Sequence, residues 1–181
     1  MVDSYLSRAR RAAFAVGLVF MTALGAAPAQ ALNIPSAPER PHLEALYEAV
    51  IHIGPTRSLG HGPNGERRVM PITGGTFKGE RLEGEIKAGG GDRQLIRPNG
   101  TREQETSYEM KTVDGVTIKV RNETVVHDDL TGSAPYAMSY IHLSVPAGRY
   151  AWLNNYVVVG TLTPIPDEPR SMLLNAYRVM P

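Results

Sequence analysis

A chain of 181 residues, 42% hydrophobic and 20% charged, has the length of one domain and the composition of a globular protein rather than a disordered one. Its formal net charge of +1, with no Lys/Arg run, excludes the basic footprint that nucleic acid or an acidic membrane surface requires. With 0 cysteines, disulfides, thiol catalysis and thiolate metal sites are excluded as well.

The chain opens with Arg8, Arg10 and Arg11, followed by the apolar run AAFAVGLVFMTALGAA and then Ala29-Gln30-Ala31. Positive start, short apolar core and small residues at the two positions a signal peptidase reads predict a secretory signal over residues 1–31, cleaved after Ala31. The run is too short and wrongly flanked for a stable membrane span, although a retained N-terminal anchor is the alternative reading. Arg10-Arg11 hints at twin-arginine export, but Phe14 stands one place late for that pattern. The expected product is periplasmic or secreted, with no membrane association after cleavage. The segment carries three arginines and one aspartate, so its removal takes the net charge from +1 to −1. Residues 32–42, which include NIPSAPERP, read as an extended, proline-rich leader.

From residue 43 to 181 the texture is that of short strands. LEALYEAVIHI sets Ala45, Tyr47, Ala49, Ile51 and Ile53 on one face, and the β-branched residues of its second half favour a strand over a helix. GPTRSLGHGPNGE holds too much Gly and Pro for regular structure and reads as a loop. RLEGEIKA alternates strictly, Leu82, Gly84, Ile86 and Ala88 against Arg81, Glu83, Glu85 and Lys87, as in a wall with one buried face. Asn99-Gly100 and Asp114-Gly115 predict hairpin turns between strands. Further strands are expected at Tyr136–Val145, Tyr156–Leu162 and Ser171–Met180, with a short helical turn in PAGRYAWLN. About nine sequential strands without helical periodicity predict an all-β, antiparallel, up-and-down, lipocalin-like barrel. A two-sheet sandwich is the alternative.

ITGGTFKGERLEGEIKAGGGD, residues 72–92, is dense in glycine but lacks the G-x-x-x-x-G-K-[ST] spacing and the following helix of a phosphate loop. Glu80 beside Gly79 would repel a phosphate, and a dinucleotide fingerprint fails for want of a βαβ unit. GGGD occurs once, which argues against a calcium-binding repeat. The glycines therefore read as structural. Gly79 and Gly89–Gly91 are assigned to tight turns, Gly84 to an inward position that leaves interior space, and Gly74-Gly75 to a bulge.

The blocks RRVMPITGGTFKGERLEGEIKAGGGD and RYAWLNNYVVVG, with Tyr108 between them, resemble the domain-of-unknown-function family 3237 of small bacterial lipocalin-like barrels. The similarity runs from about Leu43 to the C-terminus. It implies a barrel with a polar-lined interior pocket and self-association into homo-oligomers, and it implies no settled activity. Two positions depart from the family pattern: Arg93 stands where an aromatic residue often follows the aspartate, and Glu105-Thr106-Ser107-Tyr108 replaces an Asp-x-Arg-Tyr block.

The histidines His42, His52, His61, His127 and His142 show none of the spacings that ligate a metal, and His127-Asp128-Asp129 reads as a polar loop. No G-x-S-x-G is present, so a nucleophile-elbow serine is disfavoured. Asn99-Gly-Thr and Asn122-Glu-Thr match glycosylation sequons by chance in a chain with a bacterial-style signal. The polar residues of the recognised blocks, Arg68, Asp92, Gln94, Tyr108, Arg121, Asn122, Trp152 and Asn154, are the expected ligand-binding set. Asp92 is the candidate general base, and no cofactor, metal or nucleic-acid partner is expected. Two functions stay open: an exported barrel that binds a small molecule, with Trp152 and Tyr108 as platforms, or a cofactor-free hydrolase, lyase or isomerase acting on a small organic acid, lactone or phenolic.

Overall fold

The computed structural model describes residues 39–127 and 135–181. The expected signal and most of the leader lie outside them, as do Asp128 and Asp129. The described chain is an antiparallel sheet that closes on itself. From β1 (His42–Ile53) the wall passes to β10 (Ser171–Met180), β9 (Val158–Pro164), β8 (Tyr136–Ser144), β7 (Thr117–His127) and β6 (Arg102–Thr112). The next position is shared end to end by β4 (Glu83–Ile86) and β5 (Gly91–Ile96), and beyond it β3 (Gly65–Lys78) pairs back onto β1. The β1–β3 ladder from Glu48↔Lys78 to Ile53↔Ile72 joins the edges that a sandwich would leave apart.

A tenth strand, β2 (Arg57–Gly62), occupies the stretch that the sequence reading assigned to a loop. All six of its residues are exposed, so it shows no buried-face alternation. A ladder to β3 from Arg57↔Val69 to Gly62↔Gly65 holds it, as an extension of the barrel past its rim. The Asn99-Gly100 and Asp114-Gly115 hairpins are present, with φ of 86° at Gly100 and 88° at Gly115. PAGRYAWLN supplies a short 3₁₀ helix, Ala151–Asn155.

The glycine-rich stretch divides three ways. Gly79 makes a tight turn, its N–H donating to Leu82 O at 2.8 Å. Gly89 and Gly90 do not make the tight turn expected of them; they form the jog by which one wall position passes from β4 to β5. A Cβ at Gly90 would sit 2.0 Å from Ser107 O, so only glycine lets the jog lie against β6. Gly84 also corrects its assignment. Its missing side chain would meet the β6 backbone, 2.1 Å from Lys111 O, so the residue serves strand-to-strand contact rather than interior space.

The barrel interior has two halves of different chemistry. At the end where β6 turns into β7, Met110, Ile118, Ile141, Leu153, Val158 and Leu174 are almost wholly buried. The 3₁₀ helix plugs that end with Leu153. Asn154 fastens the plug: its Oδ1 accepts from Val145 N and its Nδ2 donates to Val145 O, both at 2.9 Å. Tyr150 adds a tie, its hydroxyl donating to Asp114 at 3.0 Å. The opposite end, where β5 turns into β6, carries polar side chains inward.

Candidate functional site

Register decides which polar residues meet inside the barrel. Met70, Asp92, Thr106 and Asn122 are successive cross-strand partners on β3, β5, β6 and β7. One step nearer the rim, Arg68, Gln94, Gln104, Thr124 and Ser139 form the next level. Because side chains alternate faces, both levels point inward at the same two-residue spacing. Thr124 and Ser139 satisfy each other through a hydroxyl pair at 2.7 Å.

Asp92 is the centre of the girdle and is only 6% exposed. Gln94 Nε2 donates to its Oδ2 at 2.6 Å and Thr106 Oγ1 to its Oδ1 at 3.0 Å. Burial raises its pKa from the ordinary aspartate value, outweighing the opposite pull of those two donors and of the Arg102 guanidinium. Two carbonyl oxygens beside it have no donor: Oε1 of Gln104 and Oδ1 of Asn122 are buried and unpartnered. A buried acceptor left unmade costs about 1–3 kcal/mol, which marks these atoms as places for an incoming group.

Asp92, Gln94, Gln104, Thr106 and Asn122 line one side of a cavity of about 50 Å³. Ile51, Ile53, Met70, Ile72, Leu162 and Met172 line the other. That space admits about three or four water-sized groups. Larger hollows of about 1010 and 1080 Å³ lie against the outer faces of the strands, where surface charges such as Arg121 and Glu123 (2.8 Å) pair with one another. The hollow of about 1080 Å³ also touches Gln94 and Gln104, but the smaller interior cavity alone adds Asp92 and Asn122, the perturbed acid and the second unpaired oxygen.

Of the eight residues expected from sequence, Asp92, Gln94 and Asn122 line this cavity. Arg68 stands at the rim level beside Gln94 and is tied to Glu66 through two hydrogen bonds of 2.9 and 2.7 Å. Tyr108 is deeper in the core, where burial pushes its phenol up and its hydroxyl faces that of Tyr47. It makes no platform. The other three lie elsewhere. Arg121 is on the outer face between Glu105 (3.4 Å) and Glu123. Asn154 is the fastening of the end plug. Trp152 is at the plugged end under the Arg81 guanidinium (4.4 Å), far along the barrel from Asp92. Tryptophan and asparagine in RYAWLNN read as rim residues because the sequence does not reveal which end of the barrel is closed.

Gln104 and Thr106 were missed, although REQETSYEM carried the signal. Arg102, Gln104, Thr106, Tyr108 and Met110 alternate against Glu103, Glu105, Ser107 and Glu109, so a polar set shares the face of a core methionine. Among the described residues no three His, Asp or Glu side chains converge on a point that would hold a metal.

A closed antiparallel barrel with a small, half-polar interior cavity is the class of protein that fold and site define. The chain belongs to the family described as protein of unknown function DUF3237, whose model matches residues 41–179, as the sequence resemblance implied. A UPF0311 protein of Rhodopseudomonas palustris is 42% identical over 84 residues, which are 45% of this chain and 55% of that protein; the chain thus spans about half the length of this relative. A Penicillium herquei protein named a hydroalkoxylation enzyme is 27% identical over 142 residues, 78% of this chain and 87% of its own. Among solved structures, a β-barrel like protein of Acinetobacter baumannii superposes with a TM-score of 0.74 at 27% identity, covering 81% of this chain and 100% of the other.

Proposed function

We propose that the protein is exported and that its barrel is a cofactor-free acid–base enzyme acting on a small, largely apolar molecule, with Asp92 as the proton carrier. One observation carries this reading. Asp92 is the only carboxylate lining the cavity among the described residues, and burial holds its pKa high. A carboxyl so placed both gives and takes a proton more readily near neutrality than an ordinary surface acid. The relative named a hydroalkoxylation enzyme supports the same chemistry. Adding O–H across C=C is redox-neutral: a new C–O bond forms, and the hydroxyl proton is replaced on carbon. Asp92 gives a proton to the alkene carbon, the hydroxyl oxygen attacks the neighbouring carbon, and the proton it releases returns to Asp92. Before reaction the single hydroxyl proton is donated to Gln104 Oε1 or Asn122 Oδ1, which orients the oxygen; as the C–O bond forms, that proton passes to the Asp92 carboxylate.

The test is a panel of hydroxylated alkenes, with 2-allylphenol as the simplest, followed by NMR for cyclised product and for deuterium taken up from solvent at carbon. Turnover should appear and be lost in Asp92→Asn, which keeps the shape of the side chain. Turnover that survives in that variant, or none across the panel, refutes the enzyme reading. A pure binding module is the second reading, favoured by the two amide oxygens that lack donors whether or not chemistry follows. Saturable binding without turnover would select it. Export is tested separately, by N-terminal sequencing of the native protein: Leu32 should come first, and a product that retains Met1 refutes it.

A further inference from the structure

The rim above the cavity holds a cation whose buried Nε has no hydrogen-bonded counter-ion among the described residues. Arg102 precedes Gln104 by two residues on the inward face of β6, which places its backbone about 7 Å nearer the mouth. Its cross-strand partners are Ile96 and Val126, neither of which can bond a guanidinium. Its Nε is buried with no hydrogen-bond partner. Among the described residues Glu66, which faces Ile96 in register, already directs both oxygens to Arg68. Arg102 does not line the cavity itself; it stands above it on the inward face of β6, and its charge lowers the Asp92 pKa. Arg68, by contrast, is engaged by Glu66 through Nε and one terminal nitrogen.

Resting on the reading of the cavity as an acid–base site, we propose that Arg102 anchors the carboxylate of the substrate, which is a hydroxy acid with an apolar body. The planar guanidinium, with a free Nε–H, has the fork that a carboxylate fits. A monoanion is favoured over a phosphate dianion, because Glu66 and Asp92 stand on the same inner face and add repulsion for each further negative charge. The other end of the molecule is set by the cavity. Oε1 of Gln104 and Oδ1 of Asn122 each lack a donor; the single proton of an uncharged hydroxyl supplies one of them, and a second carboxylate supplies neither. The small chamber takes the hydroxyl end, and the body spans the apolar side to the rim.

The probes are 3-(4-hydroxyphenyl)propanoate, its methyl ester and 4-hydroxyphenethyl phosphate, titrated calorimetrically into the intact protein. The acid should bind about tenfold more tightly than the ester. Arg102→Gln should erase that ratio and Arg102→Lys restore part of it, with circular dichroism unchanged in both. Asp92→Asn, which removes one repulsive charge, should keep or widen the preference for the acid, so a failure of turnover alone removes the enzyme reading and leaves the anchor standing. Equal binding of acid and ester, no saturable binding of the acid, a ratio that survives in Arg102→Gln, or tighter binding of the phosphate each overturns the proposal.

Discussion

Two adjacent glycines allow backbone strain and steric closure to be separated. Gly74 and Gly75 have φ of 143° and 148°, values that L side chains rarely adopt, so alanine at either position costs about 1–3 kcal/mol in strain. Their surroundings differ. A methyl group at Gly74 would meet nothing nearer than Ile86 O at 3.6 Å. At Gly75 it would lie 2.1 Å from Val50 O, inside the β1–β3 ladder that closes the barrel. Relief of that overlap requires the strands to part by more than about 1 Å, and two ladder hydrogen bonds then weaken at about 1 kcal/mol each. Gly75→Ala is therefore expected to cost about 2 kcal/mol more than Gly74→Ala. In urea unfolding followed by circular dichroism, that difference separates the two midpoints by about 1 M. Equal midpoints would refute the steric argument and leave backbone strain as the whole effect.

Two further outcomes follow from the site and the plug. Asn154→Ala removes both bonds to Val145 and should cost about 1–3 kcal/mol in thermal unfolding while leaving ligand affinity at the Asp92 cavity unchanged; a loss of affinity without a loss of stability would return Asn154 to the binding set. For Asp92 the folded pKa lies above the unfolded value of about 3.9. The folded state therefore holds its proton longer, and the wild type loses stability as pH rises through the window between the two values, remaining at the lower level above it. Denaturation curves from about pH 3 to neutrality should show Asp92→Asn gaining on the wild type across that window. A constant difference would refute the raised pKa.

The architecture was legible because RLEGEIKA, Asn99-Gly100 and Asp114-Gly115 carry local physics that tertiary structure did not override. β2 was not legible, since an exposed strand held only by its neighbour has neither alternation nor a buried face. The site was half legible for a related reason. Asp92 and Gln94 sit two apart behind a conspicuous glycine jog, whereas Gln104 and Thr106 lie in an ordinary polar strand whose inward face is known only once Tyr108 and Met110 are seen to be buried. Arg121 shows the opposite error. It is one residue from Asn122, and that single step along β7 carries it through the wall to the outer face.

His42 at the start of β1 pairs with Met180 at the end of β10, so the last strand of the barrel in chain order is the one the first strand needs. Closure is therefore a late event whose loop entropy falls due at once, and contacts so distant in sequence fold slowly. Until then Leu46, Tyr47, Ala49 and Ile51 of β1 lie on an open edge, exposed to the pairing with other chains that a closed barrel forbids. A chain that stops before β10 has most of the barrel's hydrophobic residues and no barrel to put them in.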